Sequence, residues 1–214
     1  MGDFCIVEMS APHLYLIIFW LAYYVFHSIL AATQLKNSIK KNFQRFYPYY
    51  RACYSSIFFI TLVAILYYQV RIDSPLIFGV SWLNYAVGVP LGLVGIAVML
   101  VCIRKYFYHL SGVKVFYASG KEDEGSLEID GLHRWMRHPL YAGTLLFAWS
   151  IFIVRPDWSS LIMCVLMNLY VLIGIKIEER KLATDFGAAY LNYKEKTPML
   201  IPNFRPPDSQ RLTH

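Results

Sequence analysis

Two apolar runs, Leu140 to Val154 and Trp158 to Ile175, are separated by only Arg155-Pro156-Asp157. Proline cannot continue a helix, because it lacks a backbone donor and its ring clashes with the preceding turn. A connection this short makes the two flanking helices antiparallel neighbours, so the far ends of the two runs must meet. One end carries Arg137, His138 and Tyr141; the other carries Lys176, Glu178, Glu179 and Arg180. The spacing therefore predicts that ionisable groups distant in sequence converge at the base of a helical hairpin.

A chain that is 57% hydrophobic and 16% charged, with a mean hydropathy of +0.42, is too apolar for an ordinary soluble domain and reads as a small multi-pass membrane protein. A spanning helix needs about 20 mostly apolar residues. Runs over 13–33, 52–70 and 85–103 meet that length, and the hairpin adds 139–154 and 158–175. The first run lacks the basic leader and small-residue cleavage site of a signal peptide, so it reads as a permanent helix. The expected fold is an all-α integral membrane protein: one domain over 1–214, five transmembrane helices, a C-terminal hairpin and a cytosolic tail over 176–214.

Basic residues between the runs set the orientation, since loops rich in Lys and Arg stay in the cytoplasm. Of the 20 Lys and Arg, all but Arg71 and Arg155 fall in segments 34–51, 104–137 or the tail from Lys176. That asymmetry predicts an N-terminus outside, five crossings and reactive groups facing the cytosol. The net charge of +6 is then explained by topology and anionic headgroups rather than by nucleic acid. The lipid bilayer is the expected partner. Cys5, Cys53, Cys102 and Cys164 are scattered singly, so neither a metal site nor a disulfide framework is expected.

Ionisable residues within apolar runs are costly and mark candidate sites. His27, with Ser28 beside it, sits near the inner end of the first run. It is either a bundle histidine bonded across helices or a catalytic group. The stretch Tyr106 to Tyr117 reads as an interfacial aromatic belt or the roof of a cavity, and the acidic loop Lys121 to Asp130 as a surface connection. His138 precedes Pro139, which disfavours helix at His138 and suits Pro139 as the first residue of a helix. The open N-H groups of that helix start would favour an anion, with Arg137 and His138 as donors. The paired Glu178 and Glu179 project about 100° apart on a helix, so one can face a cavity while the other meets a cation.

Taken together, Arg137-His138-Pro139-Leu140-Tyr141-Ala142-Gly143, a short hairpin, Glu178-Glu179-Arg180-Lys181-Leu182, Phe186-Gly187, Tyr190, Tyr193, Pro198 and Ile201-Pro202 resemble the isoprenylcysteine carboxyl methyltransferase superfamily. His27-Ser28-Ile29-Leu30-Ala31-Ala32 and Tyr50-Arg51-Ala52-Cys53-Tyr54 are similar to its bacterial branch of NnrU-like proteins and methanethiol S-methyltransferases. The resemblance implies an enzyme of a bacterial inner membrane that uses S-adenosylmethionine in a cytosol-facing pocket. It has no Gly-rich nucleotide fingerprint, in keeping with this sequence.

On that resemblance, Arg137, His138, Pro139 and the following turn would hold the donor's carboxylate, and Glu178 or Glu179 its ammonium or ribose. Leu140, Tyr141 and Tyr190 would wall its adenosine, and His27 or a glutamate such as Glu178 would act as base toward a thiol acceptor. The acceptor is expected to be small or lipid-like. Where prenylcysteine methyltransferases carry an Arg associated with the substrate carboxylate, four residues before the glutamates, this chain has Gly174, which favours a thiol over a prenylcysteine. Related scaffolds supply the alternatives: an NADPH-dependent reductase, a phospholipid methyltransferase, or a non-catalytic NnrU- or nurim-like protein. A transporter would place its polar groups at the membrane midplane rather than at one surface.

Overall fold

The computed structural model describes residues 11–44, 47–110, 127 and 129–203. The aromatic stretch beyond Leu110, the acidic loop up to residue 126 and the tail beyond 203 lie outside the described residues. Among the described residues six α-helices follow one another: α1 (Ala11–Ala31), α2 (Thr33–Asn42), α3 (Tyr47–Arg71), α4 (Trp82–Leu110), α5 (Pro139–Val154) and α6 (Trp158–Lys196), with a 3-10 turn at Gly131–Arg134 before α5. Among the described residues the one strand-like pairing is an isolated bridge between Leu76 and Asp157.

Four helices among the described residues are long and apolar enough to cross a membrane: Ala11–Ala31, Ala52–Arg71, Trp82–Arg104 and the helix Trp158–Lys196. The remaining expected span, α5, has 16 residues. Large side chains such as Ile60, Phe59, Val70 and Trp82 point outward, as they do where the solvent is lipid and outward polar groups would be costly. The core lies between α1, α3, α5 and α6, where Leu16, Trp20, Tyr24, Ile65, Ala148, Met163 and Cys164 pack together.

The hairpin forms as the spacing requires. Asp157 caps α6, its carboxylate accepting from the Ser160 amide at 2.8 Å, and an ion pair at 2.7 Å ties it to Arg155. Pro139 opens α5, and His138 before it has non-helical torsions. The bend is fastened to the α3–α4 connection: Ile77 N donates to Pro156 O at 2.7 Å, and Ser159 N donates to the Ser74 hydroxyl at 3.0 Å. His13 of α1 joins the same buried group through Ser74 at 3.0 Å.

The closest helix pairing is α4 against α5, and it depends on missing side chains. A Cβ at Gly95 would sit 2.8 Å from both Gly143 O and Phe147 N, and one at Gly143 would sit 2.9 Å from Gly95 O. At Gly92 it would meet the Ser150 hydroxyl at 2.7 Å. Small residues at such spacing let backbones approach where lipid offers no hydrophobic drive to association. The register, Gly88 beside Val154 and Gly95 beside Gly143, makes the two helices antiparallel, so α5 retraces the level of α4.

Candidate active site at the base of the hairpin

α6 does not stop where its apolar part ends near residue 175. It runs on as a charged helix to Gly187, whose φ of 53° and ψ of −129° break the helical path before residues 188–196 continue it. A side chain would be strained there, and glycine is not. The bend returns Tyr190, Tyr193 and Lys194 toward the start of α5.

At that junction Glu179 is the common acceptor. Arg137 donates to Glu179 Oε1 from Nε at 2.8 Å and approaches the same oxygen with Nη2 at 2.8 Å. His138 Nε2 lies 3.3 Å from Oε1, and Lys194 Nζ lies 2.7 Å from Oε2. The remaining guanidinium nitrogen of Arg137, Nη1, donates to Lys194 O at 3.0 Å and to Thr197 O. Burial pushes the Glu179 pKa up, but hydrogen bonds from Lys194, Arg137 and His138, with the Arg137 charge, outweigh it and hold the carboxyl down to about 2. Glu179 is therefore a permanent anion shared by three donors. Tyr190 is fully buried behind it; burial, then the Glu179 charge, push its phenol up to about 12.

Backbone pairing extends the clamp. Arg137 N donates to Pro198 O at 2.9 Å, His138 N to Met199 O at 3.1 Å, and Asn203 N to Trp135 O at 2.9 Å. The Tyr193 hydroxyl donates to His133 O at 2.7 Å. The turn before α5 and the segment after α6 are thus stitched together. Beside them Arg137, Lys194, Thr197, Pro198 and Ile201 help line an open cleft of about 520 Å³.

The paired glutamates divide their work. Glu179 has a side chain 9% exposed, whereas that of Glu178 is 45% exposed. Glu178 accepts from the Tyr141 hydroxyl at 3.0 Å and lies 3.9 Å from His138 Nδ1, and the His138 and Tyr141 rings stack at 5.7 Å. Glu178 thus keeps acceptor capacity for a ligand, while most of Arg137's donors are taken by the protein itself. Leu140 and Tyr141 are half-buried in the first turn of α5, which no side chain caps. Pro139 and His138 are buried.

His27 is not part of this cluster. Its Nδ1 lies 3.0 Å from the hydroxyl of Tyr170, two turns before Glu178 on α6. Lys194, Thr197 and Tyr170 are the participants that sequence reasoning missed. Tyr170 lies on the same helical row as Glu178, eight residues back, a signal present in the spacing. Lys194 reaches Glu179 only because α6 bends at Gly187. Among the described residues no group of His, Cys, Asp and Glu is arranged for a metal.

Residues 84–189 match the family described as phospholipid methyltransferase. A methanethiol S-methyltransferase of a Pseudomonas species is 27% identical over 195 residues, covering 81% of this chain and 70% of that one. Methanethiol S-methyltransferase 2 of Bradyrhizobium diazoefficiens is also 27% identical, covering 82% and 68%. The enzyme of that name from Pseudomonas deceptionensis is 29% identical over 63% of this chain; this chain spans about half its length, 48%. No solved structure matches the chain. With the Arg-His-Pro turn and paired glutamates joined at the base of a membrane hairpin, and the family match running through both, the chain is a multi-pass membrane methyltransferase, consistent with the isoprenylcysteine carboxyl methyltransferase superfamily.

Proposed function

We propose that this protein transfers the methyl group of S-adenosylmethionine to a small thiol at a cytosol-facing site. The observation that carries the reading is the division of labour between Glu179, locked in the clamp, and Glu178, held by Tyr141 and open to a ligand. The donor set suits a sulfonium nucleotide. Glu178 would take its ammonium or ribose, and the uncapped start of α5 with Lys194 and His138 its carboxylate. Leu140 and Tyr141 would flank the purine, while Arg137, Glu179 and Tyr190 hold the floor of the site in place.

The bound donor supplies a methyl group already activated on a cationic sulfur. The protein's part is to align the nucleophile with it and to keep water out. A thiol must lose its proton to become the competent nucleophile, and the thiol reading draws support from the names of the relatives. A phospholipid acceptor is the second reading, favoured by the description of the matching family. We place the N-terminus outside, count α5 as a fifth crossing, and put the tail in the cytosol of a bacterium whose inner membrane holds the single domain. The antiparallel register of α4 and α5 and the distribution of Lys and Arg both support this arrangement.

Calorimetry on protein in nanodiscs is expected to detect S-adenosylhomocysteine binding, and labelled donor is expected to convert ethanethiol to a labelled thioether. Label passing to phospholipid instead selects the second reading. NADPH binding without S-adenosylhomocysteine binding overturns both.

A further inference from the structure

Tyr170, Gly174 and Glu178 are spaced four residues apart and therefore share one row of α6, with about 12 Å between the first and the last. At the outer end of the row the Tyr170 hydroxyl meets α1: Ser28 Oγ donates to it at 3.3 Å, and His27 Nδ1 lies at 3.0 Å. With Ser28 donating, the phenolic proton is left to bond His27 Nδ1. At the inner end Glu178 holds the Tyr141 hydroxyl at 3.0 Å, and Tyr141 and Tyr170 are close enough to interact electrostatically. Between the two ends, a Cβ built at Gly174 meets nothing within 4 Å. The polar groups around Tyr170 and the Glu178–Tyr141 pair thus stand at the two ends of a row whose middle is an open glycine.

We propose that this space is the seat of the acceptor thiol, and that Tyr170 is a catalytic residue that takes the thiol proton while His27 is the positioning residue that receives the proton of Tyr170. This inference rests on the methyl-transfer reading above and adds the site of the acceptor. In the step, the S–H bond breaks as its proton passes to the Tyr170 oxygen and the phenolic proton passes to His27 Nδ1. The sulfur lone pair forms the new bond to the methyl carbon, with the donor's carbon–sulfur bond broken and its electron pair left on the donor sulfur. The proton held by His27 then leaves to water, so each turnover yields a thioether, a neutral donor product and one proton.

The groups facing the pair are few. Tyr23 stacks on His27 from its own helix at 6.1 Å, and Tyr54 and Phe58 of α3 meet it edge-on. The charge of Lys36 on α2 reaches the imidazole, and Tyr24 stacks on Tyr170 at 4.3 Å.

Tyr170→Phe keeps the ring and its stacking and removes only the hydroxyl, so its melting temperature is expected to shift by only about a few degrees and its affinity for S-adenosylhomocysteine to stay within about twofold of the parent. Methyl transfer to ethanethiol should fall at least tenfold in kcat. Transfer to 2,2,2-trifluoroethanethiol, similar in size but far more acidic, should fall much less, because that acceptor ionises without help. Gly174→Val should raise the KM for ethanethiol at least fivefold with donor-product affinity unchanged. Equal losses with both thiols in Tyr170→Phe, no loss at all, or an unchanged KM in Gly174→Val overturn the proposal while leaving the donor reading intact. If the parent protein fails to bind S-adenosylhomocysteine, the donor reading itself fails and the acceptor seat falls with it.

Discussion

Glu179 shows how much one residue can organise when it is buried beside several donors. It accepts from Arg137, His138 and Lys194, and with a side chain only 9% exposed it cannot replace those partners with water. Glu179→Gln keeps the shape and removes the charge, leaving a buried guanidinium without its counter-ion. Breaking one partner of such a pair costs about 3 kcal/mol, the lower end of the range because Lys194 is half in solvent. A melt of the purified variant should show this loss together with weaker S-adenosylhomocysteine binding.

The same group sets an acid limit. Its folded pKa lies near 2, below the ordinary 4.5, so its stabilisation is complete above about 4.5 and drains away as pH falls from there toward 2. Hydrogen exchange at the Arg137, His138 and Asn203 amides, referenced to α4 amides, should accelerate through that window in the parent and not in Glu179→Gln. Arg137 and the glutamates stood out in the sequence because charge beside an apolar run is conspicuous. Their pairing was not legible, since two adjacent glutamates look alike until a helix face is chosen for each.

At the scale of elements, the hairpin was legible from Arg155-Pro156-Asp157 alone, because a three-residue bend dictates antiparallel neighbours whatever surrounds it. The bend within α6 was not. Phe186-Gly187 lies in a helical pattern, and a single glycine there signals either an ordinary helix or a break. In the structure φ is positive, and the break carries Lys194 back to Glu179. Gly187→Ala therefore costs about 1 to 3 kcal/mol for a positive-φ conformation that side chains rarely adopt, or straightens the helix and removes Lys194 from the clamp. Either outcome should appear as a lower melting temperature, and straightening also as weaker S-adenosylhomocysteine binding.

The α4–α5 contact was equally hidden, because glycines in apolar runs mark close approach only when the facing helix is known. At Gly95 an added side chain meets backbone on two sides, and backbone cannot swing away as a flexible side chain can. Gly95→Val is expected to cost about 3 kcal/mol, the upper end for overpacking, whereas Gly174→Ala, with open space around it, should be neutral or gain up to about 1 kcal/mol of helix propensity. Comparing the two melts tests whether tight packing, and not glycine content, holds this pair together.

For the whole molecule, the question that governs where chemistry can occur is the number of crossings. At 1.5 Å per residue, the 16 residues of α5 reach about 24 Å, short of a hydrocarbon layer of about 30 Å. Length alone would leave α5 short of a full crossing. Its neighbours argue otherwise. The outer end of α5 is bonded to the α3–α4 connection through Pro156 and Ile77, and it lies beside Gly88 near the start of α4. Its middle faces Gly95, and Thr144 reaches Met99 at 3.5 Å. Continuing that register puts Pro139 at the level where α4 becomes basic at Arg104. A helix so placed covers the same depth as α4, with its polar approach at Arg137 and His138 shielded by the tail rather than by lipid.

Five crossings put segment 34–42 and the tail on one side and residues 73–80 on the other. Reporter fusions should therefore give fluorescence after Asn42 and after His214, and periplasmic phosphatase activity after Phe78. Phosphatase activity at the C-terminus would put the end of α6 on the side opposite the start of α5, which the contact of Arg137 with Glu179 forbids, and would overturn both the five crossings and the clamp.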